Sequence, residues 1–144
     1  MTILSWKPEY SVGDAEIDDQ HQQLFLLVNT LHAAVLGNFS RQRVLEILSD
    51  LVQHTEYHFH TEEVKMSEIG YTDLCTHRDQ HHNLLRRLKE IETLYFSSDL
   101  TLGGELFTFI VGDLLLNHML HSDKKYAPLI NTSRSVAEWT SNER

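Results

Sequence analysis

A single cysteine, Cys75, leaves no partner for an internal disulfide, so the chain must hold its shape by packing alone. Only two prolines and six glycines are present, and they divide the 144 residues into a few long segments. No run approaches the roughly 18 apolar residues of a membrane-spanning helix, and no charged-then-apolar leader opens the chain. Basic side chains are scarce as well. Twelve stand against twenty-one acidic ones, and a formal charge of -9 repels phosphate backbones and anionic lipid, so no nucleic-acid or membrane partner is expected. These absences describe a soluble, cytoplasmic protein of one domain.

Histidine is in excess, with ten residues in a chain otherwise ordinary in composition. Apolar residues recur at three- and four-residue steps in each of four segments, and no two-residue alternation is convincing. The pattern predicts an all-α, antiparallel up-down-up-down four-helix bundle over residues 1–130. An ordered N-terminal arm carries Trp6 and Tyr10, and residues 131–144 form a C-terminal tail or the start of a linker.

The first helix is expected to start near Asp18 or Asp19, either of which can cap it, and to run to Gly37 with Leu24, Phe25, Val28, Leu31 and Val35 inward. His21 lies on that stripe. The second runs from after Ser40 to Gly70, with Val44, Leu48, Leu51, Thr55, His58, Glu62, Met66 and Ile69 on its inner line. The third starts at Thr72 or Asp73 and carries His77 and His81 on the face of Leu84, Leu88 and Tyr95. The fourth follows Gly103 and Gly104 and shows Phe107, Val111, Leu114 and His118, with Pro128 stopping any continuation.

Residues four apart on a helix differ by about 40° and one turn, so His58 with Glu62, and His77 with His81, can each serve one centre. A lone inward histidine is ordinarily a core residue satisfied by a backbone carbonyl. Five of them with a carboxylate would cost roughly 1 to 3 kcal/mol each if uncompensated, against a net stability of about 5 to 15 kcal/mol. A metal centre inside the bundle compensates them. The competing register, His60 with Glu63, continues through Glu56, Tyr57, Val64 and Ser67, a mostly polar line suited to solvent or a rim. His54, one turn before His58, is either a supporting partner of the site or an ordinary buried histidine. His32 is about 16 Å along the axis from His21, and His82 and His121 are expected to be solvated. Asp123 follows His118 by five residues. On a regular helix it would point about 140° away and be a surface acid, whereas a π-type widening would return it to the same face, so a local distortion is expected there.

Together the motifs are familiar. Trp6 and Gly13 precede IDDQH (Ile17–His21), then come HFHTEE as HxxxE, Gly70-Tyr71, HRDQH as HxxxH and HMLHSD as HxxxxD. In this order the chain resembles the hemerythrin family, in particular the single-domain bacteriohemerythrins, over roughly residues 6 to 130. The resemblance implies two non-haem irons (Fe2+/Fe3+) with a bridging oxo or hydroxo group, and reversible binding of dioxygen. It assigns the residues matching His77, His81 and His118 to one iron and those matching His21 and His58 to the other, with Glu62 and Asp123 bridging. Five neutral imidazoles with two carboxylates suit reversible binding better than a carboxylate-rich set does.

The implied role is an oxygen carrier, store or sensor and not an enzyme, with a monomer expected. The alternatives are a di-iron enzyme acting on peroxide or nitric oxide, or the sensory domain of a larger signalling protein, which would require a signalling partner or downstream domain. A bundle holding zinc or no metal leaves the inward histidines unexplained. One departure stands out: the family often carries Trp one turn before the histidine of the fourth helix, and here the run LLLNH places Leu114 there. A smaller side chain implies faster oxygen access and a shorter-lived oxygenated form.

Overall fold

The computed structural model describes residues 4–97 and 109–129, the side chains at 97, 111, 116 and 119–123 excepted. Among the described residues all regular structure is helical: α1 (Ala15–Leu36), α2 (Arg41–Glu68), α3 (Leu74–Ser97) and a fourth helix (Phe109–Ser122), with short 3₁₀ turns at Pro8–Tyr10 and Asp123–Lys125. The stretch after Gly103 and Gly104 as far as residue 108, including Phe107, and the tail 131–144 lie outside the described residues.

Each boundary has a local cause. Asp14, not Asp18 or Asp19, caps α1, its Oδ1 accepting from the amide of Ile17 at 3.0 Å. Asp18 already lies inside the helix, and its carboxylate holds the incoming arm through the Val12 amide (2.9 Å) and the Ser11 hydroxyl. Ser40 caps α2 through the amide of Arg43, as its position before the periodic segment predicts. At the other end of α2, Gly70 turns the chain at φ 67° while the Tyr71 amide bonds back to the carbonyl of Met66, a Schellman closure that a Cβ would strain.

Connections this short force neighbouring helices to run antiparallel. Arg41 at the start of α2 hydrogen-bonds the Tyr95 carbonyl near the end of α3, and Arg87 of α3 reaches Asp113 of the fourth helix at 3.0 Å. The apolar core falls into two clusters: the larger holds Leu24, Phe25, Val28 and Leu31 from α1, Leu48 and Leu51 from α2, Leu88 from α3 and Leu114 from the fourth helix, and the smaller holds Val12, Ile17, Met66, Tyr71 and Tyr126. Fully burying such a side chain stabilises the fold by about 1.5–3 kcal/mol. The arm packs as expected. Trp6 meets Phe25 edge-on at 5.4 Å, and Leu4 is tied by two hydrogen bonds to the side chain of Asn29. No helix among the described residues is long and apolar enough to cross a membrane.

The fourth helix departs from the regular pattern. Its described length is wound as a π-helix, so the widening expected around His118 extends over Phe109–Ser122. Residues five apart then share a face, and Phe109 and Leu114 are both buried. The helix ends at Ser122, well before Pro128, so proline is not what stops it. The chain then continues into the 3₁₀ turn Asp123–Lys125.

Candidate metal centre

Antiparallel order brings the N-terminal parts of α1 and α3 level with the C-terminal parts of α2 and the fourth helix. His21, His58, Glu62, His77, His81 and His118 meet at that level, and none is more than 4% exposed. Their donor atoms fall into two groups, Glu62 with His77, His81 and His118, and Glu62 with His21 and His58; within each the atoms lie within 4.8 Å of one another. Donors about 2.0–2.2 Å from one ion are at most about 4.4 Å apart, so each group closes on a cation with little movement. Glu62 belongs to both groups.

The polar atoms at this level also ask for a cation. Nε2 of His58 lies 2.8 Å from Oε1 of Glu62, and Nε2 of His81 lies 3.5 Å from the same oxygen. All three atoms are buried without a partner in hydrogen-bond geometry. Imidazole lone pairs and a carboxylate oxygen aimed at one space repel one another unless a positive charge sits among them. Nitrogen and oxygen donors of this kind suit a first-row transition metal such as iron.

Protonation favours the same arrangement. Burial disfavours the charged ring of His21, with His58 adding to the effect, and its pKa falls to about 3 although Glu62 opposes the shift. Burial likewise lowers His77 to about 4 and His118 to about 2. Burial works to raise Glu62, but the neighbouring His58 and His81 outweigh it and hold the carboxyl well below its ordinary range. Near neutral pH these three rings are bare donors and Glu62 is an anion, which is the protonation state that ligands require.

Outer partners fix the rings. Gln20 donates from Nε2 to the Thr61 hydroxyl at 3.2 Å, so its Oε1 faces His58 and accepts from Nδ1–H at 2.7 Å. That bond leaves Nε2 of His58 as the donor atom. Glu63 accepts from Nδ1–H of His81 at 3.1 Å, and Arg78 donates to the other Glu63 oxygen at 3.1 Å. Phe59 stacks flat on His81 at 3.8 Å and 6°. The hydroxyl of Tyr126 donates to Oε2 of Glu62.

Six of the seven residues singled out as ligands are therefore brought together, and the side chain of Asp123 lies outside the described residues. His54 is exposed, so the supporting role considered for it falls to Gln20: one turn on α2 rotates far enough to carry position 54 off the inner face. His60 and His82 are exposed, as expected of them, and the side chain of His121 lies outside the described residues. Gln20 and Tyr126 go unmarked by the spacing argument, and Glu63, weighed there only as a ligand alongside His60, supports His81 instead. The only trace they leave in the sequence is proximity, since Gln20 precedes His21, Glu63 follows Glu62 and Tyr126 follows Asp123 by three.

Four helices enclosing a buried histidine and carboxylate cluster with one shared glutamate define the class of helical bundles built around a non-haem metal centre. The hemerythrin HHE cation binding domain matches residues 12–130. The bacteriohemerythrin of Stenotrophomonas maltophilia is 32% identical over 127 residues, covering 88% of this chain and 81% of that protein. That of Methylococcus capsulatus is 29% identical over 133 residues, covering 91% and 99%. A crystal structure of wild-type hemerythrin superposes with a TM-score of 0.82 at 25% identity, covering 90% of this chain and 98% of that one. The chain belongs to the hemerythrin family.

Proposed function

We propose that this protein binds dioxygen reversibly at a pair of non-haem irons and acts as a carrier, store or sensor of oxygen, not as an enzyme. In this reading His77, His81 and His118 would hold one iron and His21 and His58 the other, with Glu62 and Asp123 shared between the two and a solvent-derived oxo or hydroxo group completing the pair. The observation that carries it is the position of Glu62, buried and shared by both donor groups. Bound there, the ferrous pair supplies the electrons for reversible oxygen binding. The protein supplies the rest. Gln20 and Glu63 hold the rings of His58 and His81 in their ligating tautomer, Tyr126 orients Glu62, and Phe25, Val28 and Leu114 form an apolar wall that keeps water from the centre.

The reading places the bundle at residues 1–130, with residues 131–144 as a tail or a linker to an output domain, in a cytoplasmic monomer. Anaerobic loading with ferrous iron should give two irons per chain. Admitting air should produce a visible absorption band that fades when oxygen is removed. A band that bleaches irreversibly while hydrogen peroxide is consumed would replace binding with turnover, and Glu62→Ala with both irons retained would overturn the ligand assignment.

A further inference from the structure

His81 is gripped between two consecutive glutamates of α2. Its Nε2 faces Glu62 inside the bundle at 3.5 Å, and its Nδ1 donates to Glu63 on the outside at 3.1 Å. The two carboxylates leave the helix in different directions, so Glu62 is fully buried while the Glu63 side chain is 25% exposed. Glu63 opens on a surface cleft between α2 and α3 and is held there by Nε of Arg78, which sits three residues before His81 on the same helix. Phe59 lies flat on the imidazole and prevents it from rotating away.

His58 is supported differently. Its Nδ1 donates to a neutral amide, that of Gln20, at 2.7 Å. A carboxylate behind an imidazole draws the Nδ1 proton and pushes electron density toward Nε2, whereas an amide does so only weakly. We propose that Glu63, restrained by Arg78, is a positioning residue that raises the electron density on Nε2 of His81, so that the iron His81 would hold favours the ferric state more than it would without this carboxylate. The proposal rests on the di-iron reading. Arg78 opposes the effect, because its positive charge on the far oxygen withdraws density from the contact with His81. Two substitutions therefore act with opposite sign.

The test uses the full chain loaded with iron. Glu63→Gln keeps an oxygen acceptor but removes the charge, and it is expected to retain two irons with a more positive reduction potential. Arg78→Gln leaves the carboxylate unrestrained and is expected to move the potential in the negative direction. Glu63→Ala removes the acceptor, and iron should dissociate about 10- to 100-fold more readily. The metal-free protein gives an independent reading, since nitrogen NMR should find the His81 proton on Nδ1 in the wild type and lose that preference in Glu63→Ala. If the wild type takes up no iron, the di-iron reading falls and this inference with it. If it takes up two irons but Glu63→Gln leaves the potential unchanged, or both charge variants move it the same way, this inference alone falls.

Discussion

Tyr126, just beyond the fourth helix, donates its hydroxyl hydrogen to Oε2 of Glu62 on α2, and both side chains are fully buried. The contact ties the end of the last described segment to the one carboxylate that both donor groups share. Metal-free Tyr126→Phe should lose about 1–3 kcal/mol of stability, because a buried anionic oxygen loses its donor while the ring volume is kept. Urea unfolding measures it, and an unchanged midpoint would mean that Glu62 finds another donor.

Gln20 fixes the tautomer of His58, so Gln20→Leu should weaken the His21/His58 position without touching a ligand. Iron affinity there is expected to fall about 10- to 100-fold. Titration with ferrous iron should then show one site filling well before the other. Two sites that fill together in this variant would remove the tautomer argument.

Acid should unfold the metal-free protein from an unusually high pH. His21, His77 and His118 have folded pKa values of about 3, 4 and 2, below the ordinary 6.5 that they regain on unfolding. Above pH 6.5 both states are neutral and stability is fully present. Below it the unfolded chain binds protons that the folded chain refuses, so stability falls with pH, first through all three rings and, below about 4, through His21 and His118 alone. Each ring contributes a slope of about 1.4 kcal/mol per pH unit. The urea midpoint should drop steeply between pH 6.5 and 5, and a flat profile there would mean that the rings are charged or exposed in the folded protein.

Leu114 is completely buried, four residues before His118. Leu114→Ala should destabilise the fold by about 2–5 kcal/mol through loss of burial and the cavity left behind. It should also shorten the lifetime of the oxygenated form by admitting water. Calorimetry and the decay of the optical band separate the two effects, and a longer-lived band would contradict the proposed water-excluding wall.

Much of the site was legible because helical spacing is local. His58 with Glu62 and His77 with His81 stand one turn apart, so each pair shares a face wherever its helix lies. The same logic failed at His54, where one further turn of drift was enough to reach solvent, and at the start of α1, where Asp14 competes with Asp18 and Asp19 as a cap. The spacing along α2 places Glu63 at the rim, and it does sit at the rim. Its bond to His81 depends on how α2 and α3 pack, which spacing along α2 does not contain.

The sequence by itself determined the amphipathic α1, α2 and α3 and the histidines His21, His58, His77 and His81 that they turn inward, since both follow from a repeat of about 3.6 residues, whereas the fourth helix is wound as a π-helix. Tertiary structure alone decided that Gln20 backs His58, that His81 lies between two adjacent glutamates and that Tyr126 reaches Glu62. Those contacts join residues 18 to 64 positions apart, and they exist because the helix axes fix distances to within an ångström that no periodicity along one segment can specify.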